Sequence, residues 1–167
     1  MAGSGTDSFS GSGTLTIRGS QAFGGTLNLN QATTLNASSG RGAGNAAAVN
    51  IGATVTLAGA SNTFLGQAVV TTPVTINSGG RLFNQGSSTF HIGSLTLNGG
   101  ELASGTATGL ALAYGSYALD RPVIVTADST ISAQNIAATG TDFNVATGVV
   151  LSVPGTINHI CDDRSEE

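Results

Sequence analysis

Glu101, Asp120, Asp128 and Asp142 are the acidic residues between positions 13 and 155, and carboxylates are what a polysaccharide-cleaving site needs. Glycoside cleavage takes two carboxyl groups converging on one bond, one as acid and the other as base or nucleophile. Four acids over so long a stretch are few, and their positions along the chain do not stack them in one column, so they read as solvated turn residues. His159 and Cys161, beside Asp162 and Asp163, have metal-ligand chemistry. Zinc requires three or four rigidly held ligands, however, and the other histidine, His91, is far back in the chain. No serine sits within G-x-S-x-G, so a nucleophile elbow is absent. A chain without lysine carries no Walker motif, which leaves Gly40 to Gly44 as a flexible connection. Calcium repeats of the nonapeptide type need a recurring aspartate, and none recurs. The expectation is therefore no catalytic residue, no metal and no cofactor.

Two further patterns concern binding. Threonine pairs at Thr14/Thr16, Thr54/Thr56, Thr106/Thr108 and Thr139/Thr141 suggest an ice-binding face, but only the first two share a register, and β-propensity accounts for them better. The segment from Gly109 to Pro122 holds both tyrosines of the chain, Tyr114 and Tyr117, followed by Arg121. Tyrosine and arginine are enriched in contact hot spots. Tyr114, Tyr117 and Arg121 are accordingly the candidate partner contacts, set against a reading in which Leu110 and Leu112 form a strand that the tyrosines cover.

The elements that must position these residues are legible as a repeat. An apolar residue recurs at positions k, k+2 and about k+8 in six triplets: Leu27/Leu29/Leu35, Val49/Ile51/Leu57, Val74/Ile76/Leu82, Leu95/Leu97/Leu102, Val123/Val125/Ile131 and Phe143/Val145/Leu151. Apolar residues two apart, with Thr, Asn or Ser between them, put one side chain inward and the next outward on a β-strand. Asn77-Ser78-Gly79-Gly80 and Asn98-Gly99-Gly100 supply turns before the next inward position. Between triplets, Phe64/Leu65, Phe90/Ile92, Leu110/Leu112 and Ile136 offer a third side. Starts 22, 25, 21, 28 and 20 residues apart match one coil of a β-solenoid. The fold expected is thus all-β, a parallel β-helix of about six to seven coils and roughly 30 Å long at about 4.8 Å per coil. A hairpin sandwich or barrel is the competing architecture.

Composition narrows the partners. The chain has 167 residues, 40% of them hydrophobic, which is enough for a folded core, while 25 glycines imply many turns. Five scattered arginines, at 18, 41, 81, 121 and 164, make no basic patch, so no nucleic-acid partner is expected. No apolar run reaches the length of a membrane helix, and the residues after Met1 do not resemble a signal peptide. Cys161 is the single cysteine, which excludes an intrachain disulfide.

Ala53 to Leu82 reads ATVTLAGASNTFLGQAVVTTPVTINSGGRL, and Gly13 to Leu35 is a shorter variant. This stretch resembles the autotransporter-associated β-strand repeat, with T-L-T-L-x-G, then N-T-aromatic-x-G, then a strand ending I-N-x-G-x-L. The matching residues are Val55, Leu57, Gly59, Asn62, Thr63, Phe64, Gly66, Val74, Ile76, Asn77, Gly79 and Leu82. The resemblance implies a right-handed β-helix in the surface-exposed passenger of a bacterial type V secretion protein, serving as stalk, adhesin or self-associating surface. It implies as partners the adjoining parts of a longer passenger chain, and a host surface or a second copy, with anchoring in the outer membrane by a region not present here. A carboxy-terminal barrel and an end cap after Leu151 are missing from the pattern.

The chain is thus expected to comprise a flexible or capping segment at 1–12, a repeat domain at 13–155 and a non-repeating acidic tail at 156–167. Its function is expected to be structural or adhesive rather than enzymatic. A β-helical polysaccharide-degrading enzyme or a phage tailspike-like domain is the alternative. Solenoid edges pair readily, so end-to-end association or covered termini are expected as well.

Overall fold

A computed structural model of the chain describes residues 2–18, 21–36, 43, 45–58, 72–85, 89–104, 116–119, 121–133, 143–145, 151–152 and 157–160. Among them every regular element is a β-strand, and every strand pairing is parallel. The first sheet contains Thr6–Ser10, Thr26–Asn30, Ala48–Ile51, Pro73–Asn77, Ser94–Asn98, Val123–Ala127 and Leu151–Ser152 in chain order. The second contains Leu15–Arg18, Thr33–Asn36, Thr54–Ala58, Arg81–Asn84, Glu101–Ser104, Ser129–Ala133 and Ile157–Ile160. A three-stranded sheet joins Thr89–Ile92, Ser116–Leu119 and Phe143–Val145, and Ala2–Gly3 pairs with Ala22–Phe23.

Parallel neighbours cannot be joined by a hairpin, so the chain leaves each sheet, crosses the others and returns one strand further on. Paired residues lie from 18 apart, as in Leu15 and Thr33, to 29 apart, as in Leu102 and Ile131. An antiparallel sandwich would pair hairpin neighbours instead. The architecture is all-β, built of stacked parallel sheets.

Side chains alternate along each strand, so the ladder turns alternation into columns. On the first sheet, Leu27, Val49, Val74, Leu95 and Val123 stack in one column, and Leu29, Ile51, Ile76, Leu97 and Val125 in the next. All ten are at most 2% exposed and belong to one core. The first five triplets thus supply inward pairs in the expected register. The sixth does not. Leu151 continues the Val123 column, whereas Phe143 and Val145 pair with Tyr117 and Leu119 in the three-stranded sheet. The same sheet takes up Phe90 and Ile92, as a third side would; Phe64, Leu65, Leu110, Leu112 and Ile136 lie outside the described residues.

The third member of each triplet also departs from a single column. Leu35 pairs with Leu57, but Leu57 pairs with Asn84, while Leu82 pairs with Val55. The columns of the second sheet are Leu15, Thr33, Val55, Leu82, Leu102 and Ile131, then Ile17, Leu35, Leu57, Asn84, Ser104 and Ala133. A slip of two residues returns a side chain to the same face, so the pattern tolerates it. The ladder also runs past the boundaries expected from sequence. Thr6–Ser10 is its first strand, and Ile157–Ile160 pairs with Ser129–Ser132.

Two glycine turns bring successive passes close together. Gly79 and Gly99 have φ of 80° and 81°, a left-handed backbone that glycine adopts without a Cβ clash. The glycines after them lie against the preceding pass. A Cβ on Gly80 would stand 2.2 Å from the Ile51 carbonyl oxygen. One on Gly100 would meet Ile76 Cγ2 at 2.4 Å and the Asn77 carbonyl oxygen at 2.7 Å. Backbone cannot step aside as a side-chain tip can. Gly100→Ala should therefore destabilise the fold by at least about 1–3 kcal/mol, the cost of overpacking. Denaturant unfolding of the two proteins checks this; equal midpoints would contradict the close approach.

Candidate interaction surface

Of the candidate contacts, Tyr117 is corrected by the structure. Its strand, Ser116–Leu119, alternates so that Tyr117 and Leu119 point inward, and Tyr117 is 0% exposed. The ring fills the core, and the hydroxyl donates into the carbonyls of Ala103, at 2.9 Å, and Leu82, at 3.1 Å, on adjacent strands of the second sheet. A buried tyrosine needs such a partner. Burial pushes its pKa well above 10.0, although the Asn84 backbone amide and the Arg81 charge pull the other way. Asn84 and Ser104, both 0% exposed, continue an otherwise apolar column near this hydroxyl, and both are engaged by neighbours. Tyr117 is thus a staple between sheets. Tyr114 lies outside the described residues.

Arg121 is exposed. Beyond exposed Pro122, the outward Ile124 is 45% exposed, and among the described residues it is the one large exposed hydrophobic. A single exposed isoleucine is ordinary on a protein surface. What remains of the expected contact is Arg121 with Pro122 and Ile124, at the start of the strand that follows the longest interval.

The acids are not gathered. Glu101 stands on the outer side of the second sheet, one pass beyond Arg81, whose Nε is 2.9 Å from Glu101 Oε2. The Nε–H is not aimed at that oxygen closely enough for a hydrogen bond, so the contact is a charge pair. Ser132 donates its hydroxyl to Glu101 Oε1, and the Arg81 guanidinium carbon lies 4.4 Å from the centre of the Phe83 ring. Both oxygens of Glu101 and the cation are engaged. With each side chain about one-third exposed, the pair adds at most about 1 kcal/mol. Asp128 is exposed and has a partner of its own; Asp120 and Asp142 lie outside the described residues. No three His, Cys, Asp or Glu side chains come together among the described residues, and Cys161, Asp162 and Asp163 lie outside them.

The remaining outer surface of the first sheet is uncharged and internally bonded. Asn28 Nδ2 donates to Ser8 Oγ at 2.9 Å, and Asn50 Nδ2 donates to Asn28 Oδ1 at 2.8 Å. Asn98 Nδ2 donates to Asn77 Oδ1 at 3.0 Å, and Thr126 Oγ1 donates to Asn98 Oδ1 at the same distance. On the second sheet Thr16, Thr34 and Thr56 stack in register, so the two aligned threonine pairs are separated by the strand carrying Thr34. Reading the sequence one pass at a time would have found these sets, because Asn28 and Asn50, or Arg81 and Glu101, are one repeat apart.

Tyr117→Phe keeps the ring and deletes the hydroxyl, so it should cost about 0.5–1.5 kcal/mol, against about 3–5 kcal/mol for Tyr117→Ala. A pKa raised in the folded state means that stability is intact below pH 10.0 and falls as pH rises beyond it, because only the unfolded chain readily gives up the proton. The phenylalanine variant should lose that part of the alkaline fall, which unfolding curves below and above pH 10.0 would measure. Comparison of the chain with protein-family models, with curated proteins and with solved structures finds no match in any of the three.

Proposed function

We propose that the chain is a right-handed parallel β-helix of six to seven coils, part of the surface-exposed passenger of a bacterial autotransporter, acting as a rigid stalk or interaction surface without catalysis. The observation that carries this reading is where the motif residues fall. Val55, Leu57, Val74, Ile76 and Leu82 are buried inward residues, and Gly79 takes the left-handed turn. The resemblance seen in the residue pattern therefore coincides with the physical roles that pattern needs.

The engaged state of Glu101 and the uncharged outer columns of the first sheet favour a spacer or adhesive surface over a polysaccharide-degrading site. On this reading the partners are adjoining passenger sequence, a host surface or a second copy, and the location is the outside of the cell. Residues 13–160 fused between an export signal and an outer-membrane barrel should be displayed on a bacterium as a protease-resistant body, detected by antibody on intact cells. Retention in the periplasm, or prompt digestion once displayed, would count against the proposal. Release of reducing sugar from a polysaccharide panel by the purified chain would favour the enzyme instead.

A further inference from the structure

Asn98 is the one asparagine of the chain that precedes a glycine. That dipeptide is the one most prone to cyclise, because no side chain hinders the next amide nitrogen as it closes on the carboxamide carbon. The turn demands this glycine. Gly99 has φ of 81°, a left-handed backbone, and a Cβ there would stand 3.3 Å from the Ser78 side chain.

Both reacting groups are held. The Asn98 side chain is exposed to water, but its Nδ2 donates to Asn77 Oδ1 at 3.0 Å and its Oδ1 accepts from Thr126 Oγ1 at 3.0 Å. The Gly99 amide nitrogen, which would be the nucleophile, donates to Ser129 Oγ at 3.0 Å, and Ser129 in turn donates to the Ala127 carbonyl at 2.8 Å. Ser129 is 3% exposed, so water does not readily replace it as the acceptor. Cyclisation requires the carboxamide to turn toward its own backbone and the nitrogen to give up its acceptor. All three partners of Asn98 and Gly99 belong to neighbouring passes, so the closed ladder itself opposes the reaction.

We propose that Asn98–Gly99 is a site of spontaneous succinimide formation that pairing between passes holds in check. In the open chain the Gly99 nitrogen bonds to Asn98 Cγ, the Cγ–Nδ2 bond breaks, and ammonia leaves with the proton from that nitrogen. Water then opens the ring to aspartate or isoaspartate. Either product is at odds with its place in the ladder. Aspartate has lost the donor that faces Asn77 Oδ1, and isoaspartate adds a carbon to the main chain just before Gly100, which abuts the Ile76 side chain and the Asn77 carbonyl. Time spent unfolded is thus written into a covalent change that disfavours return to the fold.

Peptide mass spectrometry of the full chain, incubated in mildly alkaline buffer with and without denaturant, measures aspartate and isoaspartate at each asparagine. Asn98 should react at least about tenfold faster in denaturant than in the folded chain, and ahead of every other asparagine, since several hydrogen bonds must break together in the fold. Thr126→Val, an exposed change that keeps the side-chain shape, should raise the folded-state rate about two- to tenfold, and Asn77→Ala, which removes the acceptor on the other side, should do the same. Tyr117→Phe, which weakens the fold away from Asn98, should leave that rate at the wild-type value. The proposal is overturned by a folded chain that reacts as fast as the denatured one, by a denatured chain that reacts first at another asparagine, by Thr126→Val and Asn77→Ala both reacting at the wild-type rate, or by Tyr117→Phe accelerating as much as they do.

Discussion

Parallel backbone pairing aligns each residue with one about a repeat later, and almost every other feature of the molecule follows from that alignment. An inward aliphatic residue on one pass finds another above and below it, so no single pass needs to enclose a core of its own. The glycines that bring turn against strand, the asparagines bonded to asparagines and the Arg81–Glu101 pair are all contacts between equivalent places on successive passes. Such contacts are distant in sequence and local in space.

This alignment explains what the residues alone disclosed. Strand alternation and the repeat length were plain, because Leu27/Leu29, Val49/Ile51, Val74/Ile76 and Leu95/Leu97 are buried pairs two residues apart that recur once per repeat. The second sheet was less legible. Leu57 and Leu82 both point inward, so alternation cannot distinguish their columns, and Asn84 and Ser104 hide inward positions behind polar side chains. Phe143 and Val145 look like any other apolar pair, and only the pairing partner separates a strand of the first sheet from one of the third.

Tyr117 shows why contact residues were harder still. An aromatic residue with a hydroxyl suits an interface and a core equally, and the choice depends on whether carbonyls lie within reach. Here Leu82 and Ala103 provide them, from segments whose distance from Tyr117 along the chain conceals their nearness. Ile124 faces outward because alternation turns it away from the inward Val123 and Val125, and Arg121, before the strand begins, is exposed as well.

The asparagine bonds have a direction. In the four side-chain bonds described between outer residues of the first sheet, from Ser8 to Thr126, the donor belongs to the later pass and the acceptor to the earlier one. Asn28 and Asn98 each take a bond from the pass after them through the amide oxygen and give one to the pass before them through the amide nitrogen, so the two ends of each amide face opposite neighbours. The surface that carries the least chemistry thus sets an arrow along the molecule.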